Sequence, residues 1–231
     1  MDIDLLIKYG PKMFDGLMVT LQLVGISLLL GGILSLPIAT MRLSSNKFLS
    51  GLSYAYVYFF RGSPLLAQLF LVYYGSGQLR PFLQDVGLWV FFRDAWYCTI
   101  LVFSLNTAAY QAEILRGGIQ GVSIGQREAA KAMGLGPLVT FFKVILPQAM
   151  VSSLRPYGNE VILMIKGSAI ASVVTIFDLM GATKLAFSRT FDFEIYFFAA
   201  LIYLAVVEII RFTWDKMDRH LTKHLRPLSD Q

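Results

Sequence analysis

Apolar residues form long runs in this chain, and five runs are long enough to cross a membrane. A transmembrane helix needs about 20 apolar residues, and the first run continues without a charge from Asp15 to Arg42. We predict an all-α transmembrane bundle of five spans, at about residues 17–41, 54–74, 95–115, 157–177 and 195–210. Residues 75–94 and 178–194 are expected to be loops.

The second run contains a polar break, Arg61-Gly62-Ser63-Pro64. Proline disfavours helix at the residue before it and suits the first turn of a new helix. We therefore expect Ser63 to cap a helix that begins at Pro64.

Composition agrees with a membrane protein. Only 15% of the 231 residues are charged and 56% are hydrophobic, whereas soluble domains carry about 25% charged residues. The single cysteine, Cys98, excludes an intrachain disulfide. The acidic start Met1-Asp2-Ile3-Asp4 lacks the basic region of a cleaved signal peptide, so we expect the first run to be retained.

The distribution of Lys and Arg predicts the orientation. Residues 42–53, 116–155 and 211–231 hold 12 of the 20 basic residues, and the opposite segments hold six. Cytoplasmic segments carry this excess in membrane proteins, so the N-terminus is expected outside and the C-terminus inside. The net charge of +5 then reflects membrane orientation and gives no reason to expect a nucleic-acid partner. We predict one transmembrane domain, residues 1–231 with its core at about 16–212, and a basic cytoplasmic tail, 211–231.

The longest polar interruption, residues 117–148, is expected in the cytoplasm. Ser123 followed by Gln126 matches a capping box, and Gly134 suits a left-handed helix end. These signals predict a helix at about 124–133, which is too short to be stable alone in water.

A second helix is expected to begin at Pro137 and to end before Pro147. Two interpretations follow for the resulting hairpin. It is a lever that docks on a soluble partner, with the small side chains of Ala129 and Ala130 beside Glu128 allowing close approach, or it merely connects two spans.

Polar residues inside predicted spans are candidates for a permeation path. They are Arg61, Asn159, Glu160 and Lys166. Asn159 and Lys166 are seven apart and share a helix face, and Glu160 could meet a basic substrate. The alternatives are a structural Arg61 at the membrane edge and a Glu160 that bonds Arg155 or another helix.

Catalytic and metal sites are not expected. His220 and His224 have the spacing of a metal pair, but no acid completes a site. The Gly-x-x-x-x-Gly-Lys-Ser/Thr phosphate loop is also missing. Any nucleotide chemistry must therefore belong to a partner.

The segment 117–148 contains Glu128-Ala129-Ala130, then Gly134, and then Leu146-Pro147. In these residues and their spacing it resembles a loop motif of bacterial ABC-importer permeases, with Val144 at a position that is usually Ile in that family. Other segments resemble the polar amino-acid group: residues 16–21, 60–68, 106–117 and 159–166. Residues 73–78 and 189–192 look most like permeases for arginine, histidine, ornithine and opines.

The resemblance implies a type I ABC importer permease in the bacterial inner membrane, in contact with lipid. Its expected partners are two copies of an ABC ATPase, a second permease subunit (a sister chain or this chain itself) and a periplasmic amino-acid-binding protein. ATP and Mg²⁺ would be bound by the ATPase, with no cofactor on this chain. The residues implied in coupling are Arg127, Glu128, Ala129, Ala130, Lys131 and Gly134. An ion-coupled carrier or channel that needs no ATPase is the rival interpretation.

Overall fold

The computed structural model describes residues 3–222, which form eleven α-helices and no strand. The helices are α1 Ile3–Arg42, α2 Lys47–Gly62, α3 Leu65–Gln78, α4 Arg80–Asp85, α5 Trp89–Phe92, α6 Ala95–Gly121, α7 Ile124–Ala132, α8 Pro137–Thr140, α9 Leu146–Gly167, α10 Leu179–Thr190 and α11 Glu194–Leu221. A π-helical turn, Phe141–Ile145, joins α8 to α9, and a 3₁₀ turn, Ser168–Val174, follows α9.

Three helical stretches in the described range are long and apolar enough to cross a membrane: Ile7–Arg42, Pro137–Val174 and Glu194–Leu221. The pair α2 and α3 adds a fourth if it counts as one span, although the two helices meet at 101°. The predicted third span, α6, is not among them because its buried face is partly polar, with Asn106, Thr107 and Gln111 inside the protein.

Helix α6 lies at the centre and packs against α1, α2, α3 and α9. Large buried side chains around it, including Leu23, Leu69, Phe103 and Ile165, form the main core. Gly118 of α6 allows α9 to approach closely, since a Cβ there would lie 2.6 Å from the carbonyl oxygen of Ala149. The helix that carries the polar interior therefore contacts most of the bundle.

Both predicted loops contain helix. Residues 75–94 include the end of α3 with α4 and α5, and residues 178–194 contain α10. The Asp178 carboxylate caps α10 by accepting a hydrogen bond from Gly181 N at 2.8 Å. Leu179 and Ala186 of α10 are buried. Tertiary packing therefore stabilises this helix, although the mixed charge of the segment suggested a loop.

The break between α2 and α3 lies one residue later than predicted. Ser63 is not the cap of α3, because its hydroxyl donates back to the Phe59 carbonyl at 2.6 Å. Pro64 occupies the cap position, and α3 begins at Leu65.

The helices at both ends of the chain are longer than the predicted spans. Helix α1 has 40 residues and includes Pro11 and Pro37. Helix α11 continues through half of the predicted basic tail to Leu221. His220 is exposed, and His224 lies outside the described residues.

Candidate functional site

Helix α7 begins at Ile124, as predicted, but the predicted capping box is wrong. Gln126 N donates to the Ser123 carbonyl at 3.1 Å, while the Ser123 side chain forms no capping hydrogen bond. The Gln126 side chain instead accepts a hydrogen bond from Gln148 Nε2 at 3.4 Å. Ordinary backbone bonds and contact with the following helical segment therefore hold the start of α7.

The predicted left-handed helix end is confirmed. Gly134 has φ +72°. Its amide donates to the Lys131 carbonyl, and the amide of Leu135 donates to the Ala130 carbonyl, both at 3.0 Å. This pair of bonds is a Schellman motif, and it sets the direction in which the chain leaves α7.

The residues predicted to take part in coupling divide between surface and interior. Glu128, Ala129 and Lys131 are exposed, whereas Ala130 is 3% exposed and packs within the chain. Arg127 Nη2 donates to the Ile119 carbonyl at 2.8 Å, which ties α7 to the end of α6. The surface of α7 is thus presented in a fixed orientation relative to the bundle.

The second helix of the hairpin begins at Pro137, as predicted, but its predicted end before Pro147 is wrong. The π-helical turn widens the helix just before Pro147, and the helical stretch continues to Val174. A π turn changes the hydrogen-bond pattern where proline provides no N–H. One continuous helical stretch therefore connects the hairpin to Glu160.

Glu160 lies on α9 and is 6% exposed. Thr107 Oγ1 of α6 donates to Glu160 Oε1 at 2.7 Å, and Gln111 Nε2 donates to the same hydroxyl at 3.1 Å. The expectation that Glu160 could bond another helix is confirmed with Thr107 as its partner, since Arg155 pairs with Asp218 at 3.0 Å.

A cavity of about 220 Å³ lies beside Glu160, where α6 and α9 face the α2–α3 break. Ser63, Asn106, Tyr110 and Glu160 contribute its polar lining. The cavity borders both the broken helix and Glu160, the predicted path residue that carries a buried carboxylate. We call it the central cavity.

Two amides hold the broken helix next to the central cavity. Asn106 Nδ2 donates to the Phe60 carbonyl at 2.9 Å and to Gln68 Oε1 at 3.0 Å. Gln68 Nε2 donates to Ser63 Oγ at 2.8 Å. Asn106, Thr107 and Tyr110 had not been selected as path residues, although their position in a polar stretch of an otherwise apolar helix was a usable signal.

Arg61 lies against Tyr110, with its guanidinium 5.1 Å from the centre of the Tyr110 ring. Its Nη1 is 3.9 Å from Glu113 Oε2. Glu113 also pairs with Arg42 at 3.0 Å and with Arg116 at 2.9 Å. This arginine cluster places three guanidinium groups around one carboxylate.

Asn159 and Lys166 do not join Glu160. Both side chains are exposed, and neither lines the central cavity. The nearby Ser172 accepts a hydrogen bond from Lys184 at 2.9 Å. Of the four predicted path residues, only Arg61 and Glu160 line a cavity that Tyr110 also lines.

Comparison with known proteins identifies the family. Residues 27–223 match the family of binding-protein-dependent transport system inner membrane components. The chain belongs to this family. The permease is therefore a multi-pass protein of the bacterial inner membrane, in a family that works with an ATPase and a binding protein.

Individual relatives match the permease over nearly its full length. It is 45% identical to the nopaline transport system permease protein NocM of Agrobacterium fabrum, covering 98% of this chain and 94% of that protein. It is 35% identical to the histidine/lysine/arginine/ornithine transport system permease protein HisM of Escherichia coli, covering 94% and 91%.

A solved structure shares the fold. An amino acid ABC transporter crystallised with histidines matches with TM-score 0.83 and 34% identity, over 95% of this chain and 99% of that one. The type I ABC permease fold implied by the loop motif is confirmed.

Proposed function

We propose that this permease imports a basic amino acid or an opine, and that Glu160 receives the positive charge of the substrate. The observation that carries this proposal is the buried Glu160 carboxylate on the central cavity. Thr107 holds one of its oxygens, which leaves the other for a cationic group. Carboxylates inside a membrane protein are costly and mark substrate paths. The names of NocM and HisM point to the same substrate class.

Arg61 is proposed as the next contact along the path, towards the cytoplasm. The arginine cluster carries more positive than negative charge, and two cavities of about 310 and 500 Å³ are lined by Arg61, Tyr110 and Glu113. The α-carboxylate of an amino acid would be attracted there. Asn159 and Lys166 would contribute from the exposed side of α9, facing a second permease subunit.

Helix α7 is proposed to dock on a separate ATPase, which would bind ATP and Mg²⁺. Glu128, Ala129 and Lys131 are exposed, together with the apolar side chains of Ile124, Met133 and Leu138. An exposed apolar patch with polar residues among it is typical of a protein interface. Movement of α7 would reach Glu160 through the continuous helix that follows the hairpin.

The proposed assembly contains two permease subunits, two ATPase copies and a periplasmic binding protein. Each permease would cross the membrane five times, with α6 as the additional span, its N-terminus outside and its C-terminus inside. The excess of Lys and Arg on the α7 side supports this orientation. Labelling of single cysteines introduced at Lys12 and Lys131 in intact cells tests it, because only the first is expected to react with an impermeant reagent.

Uptake by the reconstituted complex tests the substrate class. The chain is combined with its ATPase, the periplasmic binding protein and each candidate second permease, and uptake of labelled arginine, histidine and octopine is measured. We expect ATP-dependent uptake of at least one of these three substrates with one of the candidate second permeases. Equal uptake without ATPase would contradict the proposal and favour the ion-coupled carrier.

A further inference from the structure

Another cavity, of about 570 Å³, shares no lining residue with the central cavity. It lies between α1, α9 and α11, and its walls are mainly apolar, with Leu29, Ile33, Leu36, Met150 and Trp214 among them. Ile33 is 71% exposed and Met150 is 55% exposed. We call this cavity the lateral groove.

The few polar groups in the groove already have partners within the protein. Gln111 Nε2 donates to the Leu28 carbonyl at 3.2 Å, and the Tyr157 hydroxyl donates to the Gln111 carbonyl at 3.4 Å. Trp214 Nε1 donates to the Leu154 carbonyl at 2.6 Å. A polar ligand would therefore find few free partners inside the groove, whereas a hydrocarbon chain would leave these bonds intact.

The groove has the depth of one membrane leaflet. Its α1 residues extend from Leu28 to Leu36, a rise of roughly 12 Å at 1.5 Å per residue. One leaflet contributes about 15 Å to the hydrocarbon core. The leaflet is the one on the α7 side, which is cytoplasmic in the proposed orientation.

Arg155 lies beside the groove and carries charge there. It follows the lining residue Leu154, and its partner Asp218 lies on α11 between the lining residues Trp214 and Leu221. The Arg155 side chain is 79% exposed although it bonds Asp218 through Nε, and Asp218 is 5% exposed. The remaining guanidinium nitrogens can therefore donate to a phosphate.

We propose that the lateral groove binds a phospholipid of the α7-side leaflet. One acyl chain fills the groove, and the phosphate is bound by Arg155. Exposed Lys216 and Arg219 on the same part of α11 favour an anionic headgroup. Because the lipid contacts α9, it stabilises the helix that joins the hairpin to Glu160.

Photolabelling tests the acyl-chain site. The full complex is placed in nanodiscs that contain phosphatidylglycerol with a diazirine in its acyl chain, and labelled residues are mapped by mass spectrometry. We expect several-fold more label on residues 28–36 and 150–154 than on the exposed Leu204 of α11. Val151→Trp, which fills the groove, should remove this excess, whereas Leu204→Trp should not. Even labelling, or an excess that survives Val151→Trp, would overturn the proposal.

Lipid retention tests the phosphate site. The double variant Arg155→Gln/Asp218→Asn keeps the pair neutral and avoids an unpaired buried carboxylate. Native mass spectrometry of the extracted complex should show several-fold less retained phosphatidylglycerol than wild type. Arg211→Gln, which breaks the exposed pair with Glu208, is the control and should retain the lipid. Equal retention in the double variant would contradict the role of Arg155.

A protein occupant would also overturn the proposal. If the second permease covers the groove, a cysteine introduced at Ile33 would crosslink to that subunit and lipid labelling would be absent. Neither readout involves transport, so the result is independent of the proposed substrate.

Discussion

Helix α7 and the central cavity differ in how their polar groups are satisfied. Glu128 and Lys131 of α7 are exposed, and within residues 3–222 their side chains form no hydrogen bond or ion pair with the rest of the chain. Around the central cavity, Glu160, Asn106 and Gln68 are buried and bonded to neighbouring helices. The first region therefore presents the exposed groups of the proposed ATPase interface, whereas the second is a preorganised interior that the proposed substrate would enter.

Reversing the charge of Glu128 should have the largest effect. Glu128→Lys introduces a repelling charge at the proposed ATPase interface, and such contacts cost several kcal/mol. We expect ATPase copurification to fall more than about tenfold, which corresponds to about 1.4 kcal/mol. Asp215→Lys, on the exposed face of α11, is the matched control and should leave copurification unchanged. Normal ATPase binding by Glu128→Lys would show that α7 is not the docking helix.

Filling the close contact between α6 and α9 should destabilise the region that links the two sites. In Gly118→Ala the new methyl group would press on the Ala149 carbonyl, and overpacking costs about 1–3 kcal/mol. Gly117→Ala is the control, because a Cβ there meets nothing within 4 Å. Thermal unfolding of the purified complex should show a lower Tm for Gly118→Ala alone. Equal Tm values would mean that the close contact between α6 and α9 does not contribute to the stability of the complex.

Removing the Thr107 hydroxyl should destabilise the packing around the central cavity and leave α7 intact. Thr107→Val leaves Glu160 without its hydrogen-bond donor, at a cost of about 1–3 kcal/mol. We expect a lower Tm and reduced uptake, with normal ATPase copurification. Thr107→Ser keeps the hydroxyl and should recover uptake. Loss of ATPase binding in Thr107→Val would contradict the separation of the two regions.

Replacing Gly134 should have the smallest effect. Gly134→Ala forces alanine into a left-handed conformation, which costs about 1 kcal/mol. The resulting change in α7 should reduce ATP-dependent uptake modestly. Gly136→Ala is the control, because Gly136 has φ −64°, which alanine adopts freely. If both variants behave alike, the left-handed end of α7 does not determine its orientation.

Local signals made α7 predictable. Its start at Ile124 and its end before the left-handed Gly134 depend on residues that are close in sequence, and the motif spacing identified the family. The capping box failed because the Gln126 side chain found Gln148, a partner 22 residues away. The predicted helix end before Pro147 was wrong, because a π-helical turn precedes the proline and the helix continues beyond it.

The candidate path was only partly predictable, because its contacts join distant residues. Thr107 and Glu160 are 53 residues apart, and Asn106 reaches Phe60 across 46 residues. Periodicity correctly placed Asn159 and Lys166 on one face of α9, but it did not show that this face is exposed. Helix α10 was not predicted for a similar reason. The mixed charge of its sequence suggested a loop, and its packing against α1 and α11 joins residues that are distant in sequence.

Uptake by the Glu160→Gln permease tests the central claim most directly. Glutamine keeps the shape and can still accept the Thr107 hydrogen bond, but it removes the negative charge. In proteoliposomes with the ATPase, binding protein and second permease, we predict that ATPase copurification and Tm stay at wild-type values while uptake of the labelled basic amino acid is lost. Wild-type uptake by Glu160→Gln would contradict the account, because the central cavity would then not select its substrate by charge.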